Sequence, residues 1–338
     1  MSILDRKFVV GCDIGSYSIK WIEGVQRHNT FKLHNYFEKP LPYNAIVDGK
    51  IRDFAAVAKS FKEIFKEAHS TDNVSIGIQG NHVCTAKIKL PSFDDKEKAP
   101  CLDWELEQYL TLEKEGAYVD YFQLNTEQVL VVAAQKNVVD TYTQFLTDLK
   151  TNVNRVETPS LALEKTWRLN YPEDKDKTIA LISLGASYAS ITLFHENTLH
   201  WTYPIFASGY DLTLNIQKEL KLTFDEAENL KSGGYEGSPH PVRKLTEDFS
   251  ERFSDETLKV LKLALAREPS LTIDKIYITG GAAKTYQLKT FLSEKIGSQV
   301  EELDPFKNII INKKKFKENT LKKVTAQAAT ALGLALDM

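Results

Sequence analysis

The stretch Phe8-Val9-Val10-Gly11-Cys12-Asp13-Ile14-Gly15-Ser16-Tyr17-Ser18-Ile19-Lys20 is an apolar run that meets a glycine, then hydroxyl residues, then a lysine. It returns in reduced form as Thr178-Ile179-Ala180-Leu181-Ile182-Ser183-Leu184-Gly185-Ala186-Ser187-Tyr188. Each copy reads as a strand entering a tight turn, and such a turn can offer backbone N–H groups to a phosphate. Two such units, far apart in the chain, imply two related halves. The copies differ two residues before the glycine, where the first has Asp13 and the second Ser183.

Composition narrows the classes around this core. At 338 residues the chain exceeds one typical domain, and its formal net charge of −3 gives no argument for nucleic-acid binding. Cys12, Cys84 and Cys101 are widely spaced, which suits a reducing compartment and offers no metal-ligand pattern. Cys12 reads as a small core residue. No apolar leader region and no membrane-length apolar run is visible, so the expected location is cytoplasmic, with any membrane association through a partner. The chain has neither a Gly-x-x-x-x-Gly-Lys loop nor a Gly-x-Ser-x-Gly elbow.

Hydrophobic periodicity sets out the rest. Ile19–Val25 and Phe31–Phe37 read as strands of one sheet, and Ile51–Ala68 as an amphipathic helix. Beyond them, Val74–Gln79 is expected to pair with Val83–Leu90, followed by a helix from Pro91 to about Leu110. A strand pair, Tyr118–Leu124 and Gln128–Ala134, and a helix, Val138–Leu149, would complete a separate small subdomain. Arg155–Trp167 reads as a connecting helix. The second half offers strands Ile179–Leu184 and Ala189–His195, then helices Asp211–Leu220 and Thr223–Lys231. After a break at 232–239 come a long amphipathic helix, Val242–Arg267, and the strand Lys275–Thr279. An Ala-rich helix, Val324–Leu336, ends the chain.

The chemistry-bearing residues cluster at strand ends. Asp13 suits Mg²⁺ held through water, because that ion prefers oxygen ligands and keeps much of its hydration shell. Lys20, on the return strand, can reach the same phosphates as a point charge. Gly280-Gly281-Ala282-Ala283-Lys284 follows a strand and permits close approach of a base or phosphate. Plainer readings stand beside these. The first turn is also an ordinary polar hairpin, Tyr17 a surface aromatic, and Glu228 with Lys231 a helix ion pair. His195 and His200 read as structural. Lys313-Lys314-Lys315-Phe316-Lys317 with Lys322-Lys323 reads first as a solvated basic loop and second as a contact for an anionic membrane.

Asp-Ile-Gly-Ser-x-Ser-x-Lys, a second glycine turn mid-chain, Gly-Gly-Ala-Ala and a terminal Gly-Leu-Ala helix together resemble the actin/Hsp70/sugar-kinase ATPase fold. The position of the insert resembles the FtsA branch. More narrowly, the chain resembles the PilM family of type IV pilus assembly. The matching residues are Leu90-Pro91, Trp104–Leu110, Asp120–Leu124, Gly209–Thr213, Glu226–Lys231 and Leu303–Phe306. The resemblance implies an α/β, actin-like ATPase fold of two RNase H-like halves with an FtsA/PilM-type inserted α/β subdomain. The first half would be 1–73, completed by 153–177 and 320–338, with the insert at 74–152. The second would be 178–208 and 270–319, with a helical subdomain at 209–269.

ATP or ADP with Mg²⁺ is the cofactor this family resemblance implies. Asp13, the catalytic and metal residue, would act with Gly15, Ser16, Tyr17, Ser18 and Lys20 at the first turn, and Gly185, Ala186 and Ser187 at the second. Glu228 and Lys231 would flank ribose and adenine, with Gly280, Gly281 and Ala282 against the nucleoside. Ser183 replaces the acid that usually helps organise Mg²⁺ and the attacking water, so hydrolysis is expected to be slow or absent. The implied partner is the N-terminal cytoplasmic tail of the inner-membrane protein PilN, within the pilus assembly platform and its motor. The chain stops at Met338 just after the core helix, unlike FtsA with its membrane helix, which points to recruitment by a partner. A homo-oligomer stays open. The rival readings are an active actin-fold ATPase or small-molecule kinase, and an FtsA-like or type II secretion scaffold.

Overall fold

The computed structural model describes residues 7–78, 80–89, 116–125, 128–196, 198–232, 240–266 and 268–337. The expected helix from Pro91 to about Leu110, Cys101, the Leu90-Pro91 and Trp104–Leu110 matches and nearly all of the 232–239 break lie outside these residues.

The first half is built on a meander. β1 (Lys7–Ile14), β2 (Ser18–Arg27) and β3 (Thr30–Pro40) pair antiparallel in sequence order. A two-residue-per-strand hairpin, β4 (Ile46–Val47) with β5 (Lys50–Ile51), follows. The helix Phe54–Phe65, N-capped by the Asp53 carboxylate, then buries Val57, Phe61 and Ile64 against Val10, Cys12 and Ile14 of β1. β6 (Val74–Gly77) returns parallel beside β1. Next in the chain comes a separate antiparallel sheet of β7 (Val83–Lys89), β8 (Ala117–Asn125) and β9 (Gln128–Gln135), with β9 in the middle. β10 (Val153–Glu157) rejoins the main sheet, parallel to β6.

Two sequence expectations need correction here. Val74–Gly77 does not pair with Val83–Lys89; it lies between β1 and β10. All four of its residues are buried, so it has no polar–apolar alternation to reveal its neighbours. The helix Lys136–Asp148 does not close a separate subdomain either. Its Val138, Tyr142, Phe145 and Leu146 enter the same core as Phe61 and Ile64.

The second half repeats the first. β11 (Thr178–Leu184), β12 (Ala189–His195) and β13 (Thr198–Ile205) form an antiparallel meander. β14 (Lys275–Thr279) is parallel to β11, and β15 (Val300–Glu302) is parallel to β14. The strand order β13-β12-β11-β14-β15 therefore copies β3-β2-β1-β6-β10, to which β16 (Ile310–Ile311) is added beside β3. Between β13 and β14 stand the helices Gly209–Leu220, Phe224–Ser232 and His240–Leu265, and Leu288–Ile296 joins β14 to β15.

Each half lends its last helix to the other. Helix Pro159–Asn170 follows β10, yet its Leu163 and Trp167 pack with Ile179, Leu181, Phe194 and Tyr277. Helix Glu318–Ala335 follows the second sheet, yet its Ala328, Ala331, Leu332 and Ala335 pack with Val9, Ile22, Phe31 and Leu33. Small residues allow the crossing: a Cβ on Gly333 would lie 1.7 Å from the Ala162 carbonyl oxygen, and one on Gly11 2.0 Å from that of Ala331. The inserted sheet touches both halves, since Leu130 packs with Leu163, Phe194 and Leu199.

Within the first crossing helix, burial pushes the Glu164 carboxyl up to about 7 despite Arg168 at 3.6 Å. The raised value favours the protonated form, so the stability it contributes is full below the unfolded pKa and is lost as pH rises through about 7. Glu164→Gln, which mimics the protonated group, is expected to raise stability well above neutrality by up to about 3 kcal/mol. The gain should vanish in mild acid. Thermal melts of both proteins across that range check this, and a constant difference would refute it.

Candidate functional site

The two copies of the opening motif become two matching hairpin turns. The amide of Gly15 donates to the Ser18 carbonyl at 3.1 Å, and that of Gly185 to the Tyr188 carbonyl at 3.0 Å. The turns face each other across the cleft, and the hydroxyls of Ser16 and Ser187 meet at 2.5 Å. The Tyr210 hydroxyl donates to the Ser16 carbonyl at 3.1 Å. At one edge of the cleft the Tyr43 ring stacks on Phe224, with centroids 3.8 Å apart. The halves therefore meet in a closed arrangement around a cavity of about 430 Å³, within the range of small-molecule sites.

The charge is one-sided. Across β1 and β2, Asp13 stands opposite Lys20, and their side chains lie 3.4 Å apart. Across β11 and β12, the corresponding pair is Ser183 opposite Ser190. The second turn thus has serines where the first has the acid and its lysine. No group of three or more His, Cys, Asp or Glu among the described residues is placed to hold a metal by itself. Asp13 alone suits a Mg²⁺ whose other ligands are phosphate oxygens and water.

The glycines let chain segments that line the cleft pack closely. A Cβ on Gly15 would come 3.0 Å from the Lys20 ammonium nitrogen. Gly280 has φ +99°, and a Cβ there would lie 2.3 Å from the Leu184 carbonyl oxygen. Only glycine fits that conformation without strain. The amide of Gly280 donates to the Ala326 carbonyl, and that of Ala282 to the Leu184 carbonyl. Gly281 faces open space, with only the Gln327 side chain within 4.0 Å of a built Cβ.

Glu228 and Lys231 sit 2.7 Å apart on helix Phe224–Ser232. They form a buried knot in which Lys231 also donates to the Gly209 carbonyl and the Thr213 hydroxyl, and Thr213 donates to Glu228. Burial holds the Lys231 amine below its usual range, although Glu228 opposes this. Tyr17 is the most exposed part of the first turn; partial burial, then Glu228, Glu38 and Asp225, push its hydroxyl up.

All the residues singled out in the sequence line this one cavity: Asp13, Gly15, Ser16, Tyr17, Ser18, Lys20, Gly185, Ala186, Ser187, Glu228, Lys231, Gly280, Gly281 and Ala282. Ser18 has a partner within the protein. It is fully buried, and its hydroxyl donates to Glu38 at 2.8 Å, so its proton is committed. Sequence reasoning missed Glu38 itself, which also accepts from Tyr36 and, with its amide turned to face the carboxylate, from Gln327 at 2.8 Å. His195 and His200 lie outside the cavity lining and bond to Thr178 and Glu268.

Comparison with known proteins agrees with this architecture. The chain is similar over 97% of its length to 97% of a chain in a PilM–PilN type IV pilus biogenesis complex, with 21% identity and a TM-score of 0.85. It is similar to the ethanolamine utilization protein EutJ from Carboxydothermus hydrogenoformans, at 13% identity and a TM-score of 0.60, covering 98% of this chain and 89% of that one. MreB 5 of Spiroplasma citri, solved bound to AMPPNP, matches at 12% identity and a TM-score of 0.52, covering 94% of this chain and 97% of that one. These likenesses establish the α/β, actin-like ATPase fold. The family described as type IV pilus assembly protein PilM matches residues 11–338, and the chain belongs to that family.

Proposed function

We propose that this protein is a nucleotide-binding scaffold of the type IV pilus assembly platform that turns its nucleotide over slowly or not at all. ATP or ADP with Mg²⁺ would occupy the cleft between the halves. The observation that carries this reading is the unequal pair of turns, Asp13 with Lys20 on one side and Ser183 with Ser190 on the other. The first pair can anchor Mg²⁺ and phosphate. The second can hydrogen-bond a phosphate but lacks a carboxylate to align water, and a serine is no general base near neutral pH.

Each residue then has a defined task. Asp13 holds the metal's water shell, and Lys20 neutralises phosphate charge. Gly15 and Gly185 let the turn backbones come close, while Ser16, Tyr17, Ala186 and Ser187 supply amides to an anion. Ser18 fixes the first turn through Glu38. Glu228 and Lys231 border the nucleoside, and Gly280, Gly281 and Ala282 form its flat floor.

The partner in this reading is the N-terminal tail of PilN, held between the first half and the insert, with membrane contact through that partner. Its extended backbone can pair with a strand edge. The subdomain boundaries remain part of the proposal, with β6 and helix Lys136–Asp148 joined to the first half and β7–β9 forming the insert. Because Leu130 of the insert packs against Phe194 and Leu199, a change in the cleft can alter the tail groove. Titrating a synthetic PilN tail with and without Mg²⁺-ATP tests this. Binding is expected, with affinities differing by about fivefold or more. Failure of the tail to bind, or equal affinity in both conditions, would contradict the reading.

A further inference from the structure

A chain of net charge −3 concentrates seven lysines between Lys307 and Lys323, against the single acid Glu318. Lys307 is used internally, in an ion pair with Glu173. The others lie on the loop after β16 and at the start of helix Glu318–Ala335. Lys313, Lys314, Lys315 and Lys317 are exposed. Lys315 donates to Asn35 on β3, which ties the loop to the sheet. Lys32, also exposed, stands opposite Ile310 across β3 and β16, and Ile310 is 53% exposed. Nearby, His34 is held below its usual range by burial first, with Lys32 and Lys315 adding to the effect.

Helix stability does not explain this charge. Lys317 occupies the N-cap position of helix Glu318–Ala335. The N-terminal end of a helix carries positive partial charge and favours acids. Lysines there weaken the helix locally, so their grouping needs another cause. An exposed branched aliphatic residue with Lys32 opposite it and exposed lysines at 313–315 just beyond it in the chain matches a bilayer surface, where an apolar side chain enters the interface and ammonium groups meet phosphates. An acidic polypeptide would use the charges but would leave Ile310 without a function.

We infer that the β16 edge and its lysine loop form a direct docking surface for an anionic membrane leaflet. This contact adds to any recruitment through PilN. No helix among the described residues is long and apolar enough to cross a membrane.

Vesicle co-sedimentation of the full chain tests the inference, using phosphatidylcholine vesicles with and without phosphatidylglycerol. Binding should require phosphatidylglycerol and weaken at high salt. Lys313→Gln with Lys314→Gln should reduce affinity by about thirtyfold. Ile310→Ser should reduce it without removing the salt dependence. Unchanged melting curves would show that the variants fold. No binding to the anionic vesicles, or equal binding to neutral ones, would overturn the inference. So would a surface that binds poly-glutamate but not vesicles, which would reassign it to an acidic protein.

Discussion

Gly333→Ala is expected to destabilise the protein by more than about 4 kcal/mol, the largest effect of any single methyl group here. Its Cβ would lie 1.7 Å from the Ala162 carbonyl oxygen and 2.3 Å from its carbonyl carbon, both backbone atoms of the other crossing helix. Backbone cannot swing aside as a flexible side chain can. Accommodating the methyl requires the two helices to separate, and both carry residues seated in the opposite half. Trp167 and Leu163 would pull away from Phe194 and Leu181, while Ala331 and Leu332 would lift from Val9 and Ile22. A thermal midpoint lowered by about 10 °C, or failure to accumulate folded protein, is the expected result. Gly281→Ala is the control. Its Cβ would meet only the end of contact range at Gln327, so its melting curve should match the parent.

Asp13→Ala is expected to weaken Mg²⁺-dependent nucleotide binding by about a hundredfold, the cost typical of losing a group that positions a metal's shell. The side chain is mostly buried, and the charge it faces is Lys20 at 3.4 Å. Removing the carboxylate leaves the metal without a protein anchor. Asp13→Asn should show nearly the same loss, since it keeps the shape and removes the charge. Both variants should melt close to the parent, because Asp13 lies at the cleft rather than in the core. Affinity measured with and without Mg²⁺ separates the cases. Equal affinities for parent and variants would place the metal elsewhere.

Much of this site was readable because it is local. Asp13, Gly15 and Lys20 belong to one hairpin whose two-stranded register brings acid and lysine together. The same hairpin logic found Ser183 and Gly185. Glu38 escaped for a physical reason. The pairing of β2 and β3 shifts by one residue between Glu23 and Gly24, which brings Glu38 opposite Lys20. Counted from the turn without that bulge, Phe37 would take the place, and a bulge leaves little sequence signal. Gln327 was hidden as well: the terminal helix was expected to complete the first half, but which of its residues faces Glu38 depends on the rotation of that helix over the sheet. The position of β6 was missed because a fully buried parallel strand shows no alternation. The meeting of Ser16 with Ser187 joins residues far apart in sequence, and depends on how the halves close.

Mg²⁺-ATP is proposed to stay intact in the cleft, because the second turn has Ser183 and Ser190 where the first has an acid and its lysine. A single-turnover assay tests it most directly: excess purified protein is mixed with labelled ATP and Mg²⁺, and bound nucleotide is recovered at intervals. Intact ATP should be retained over the parent protein's full time course, and Asp13→Ala should retain far less. Rapid appearance of ADP that depends on Mg²⁺ and disappears in Asp13→Ala would contradict it.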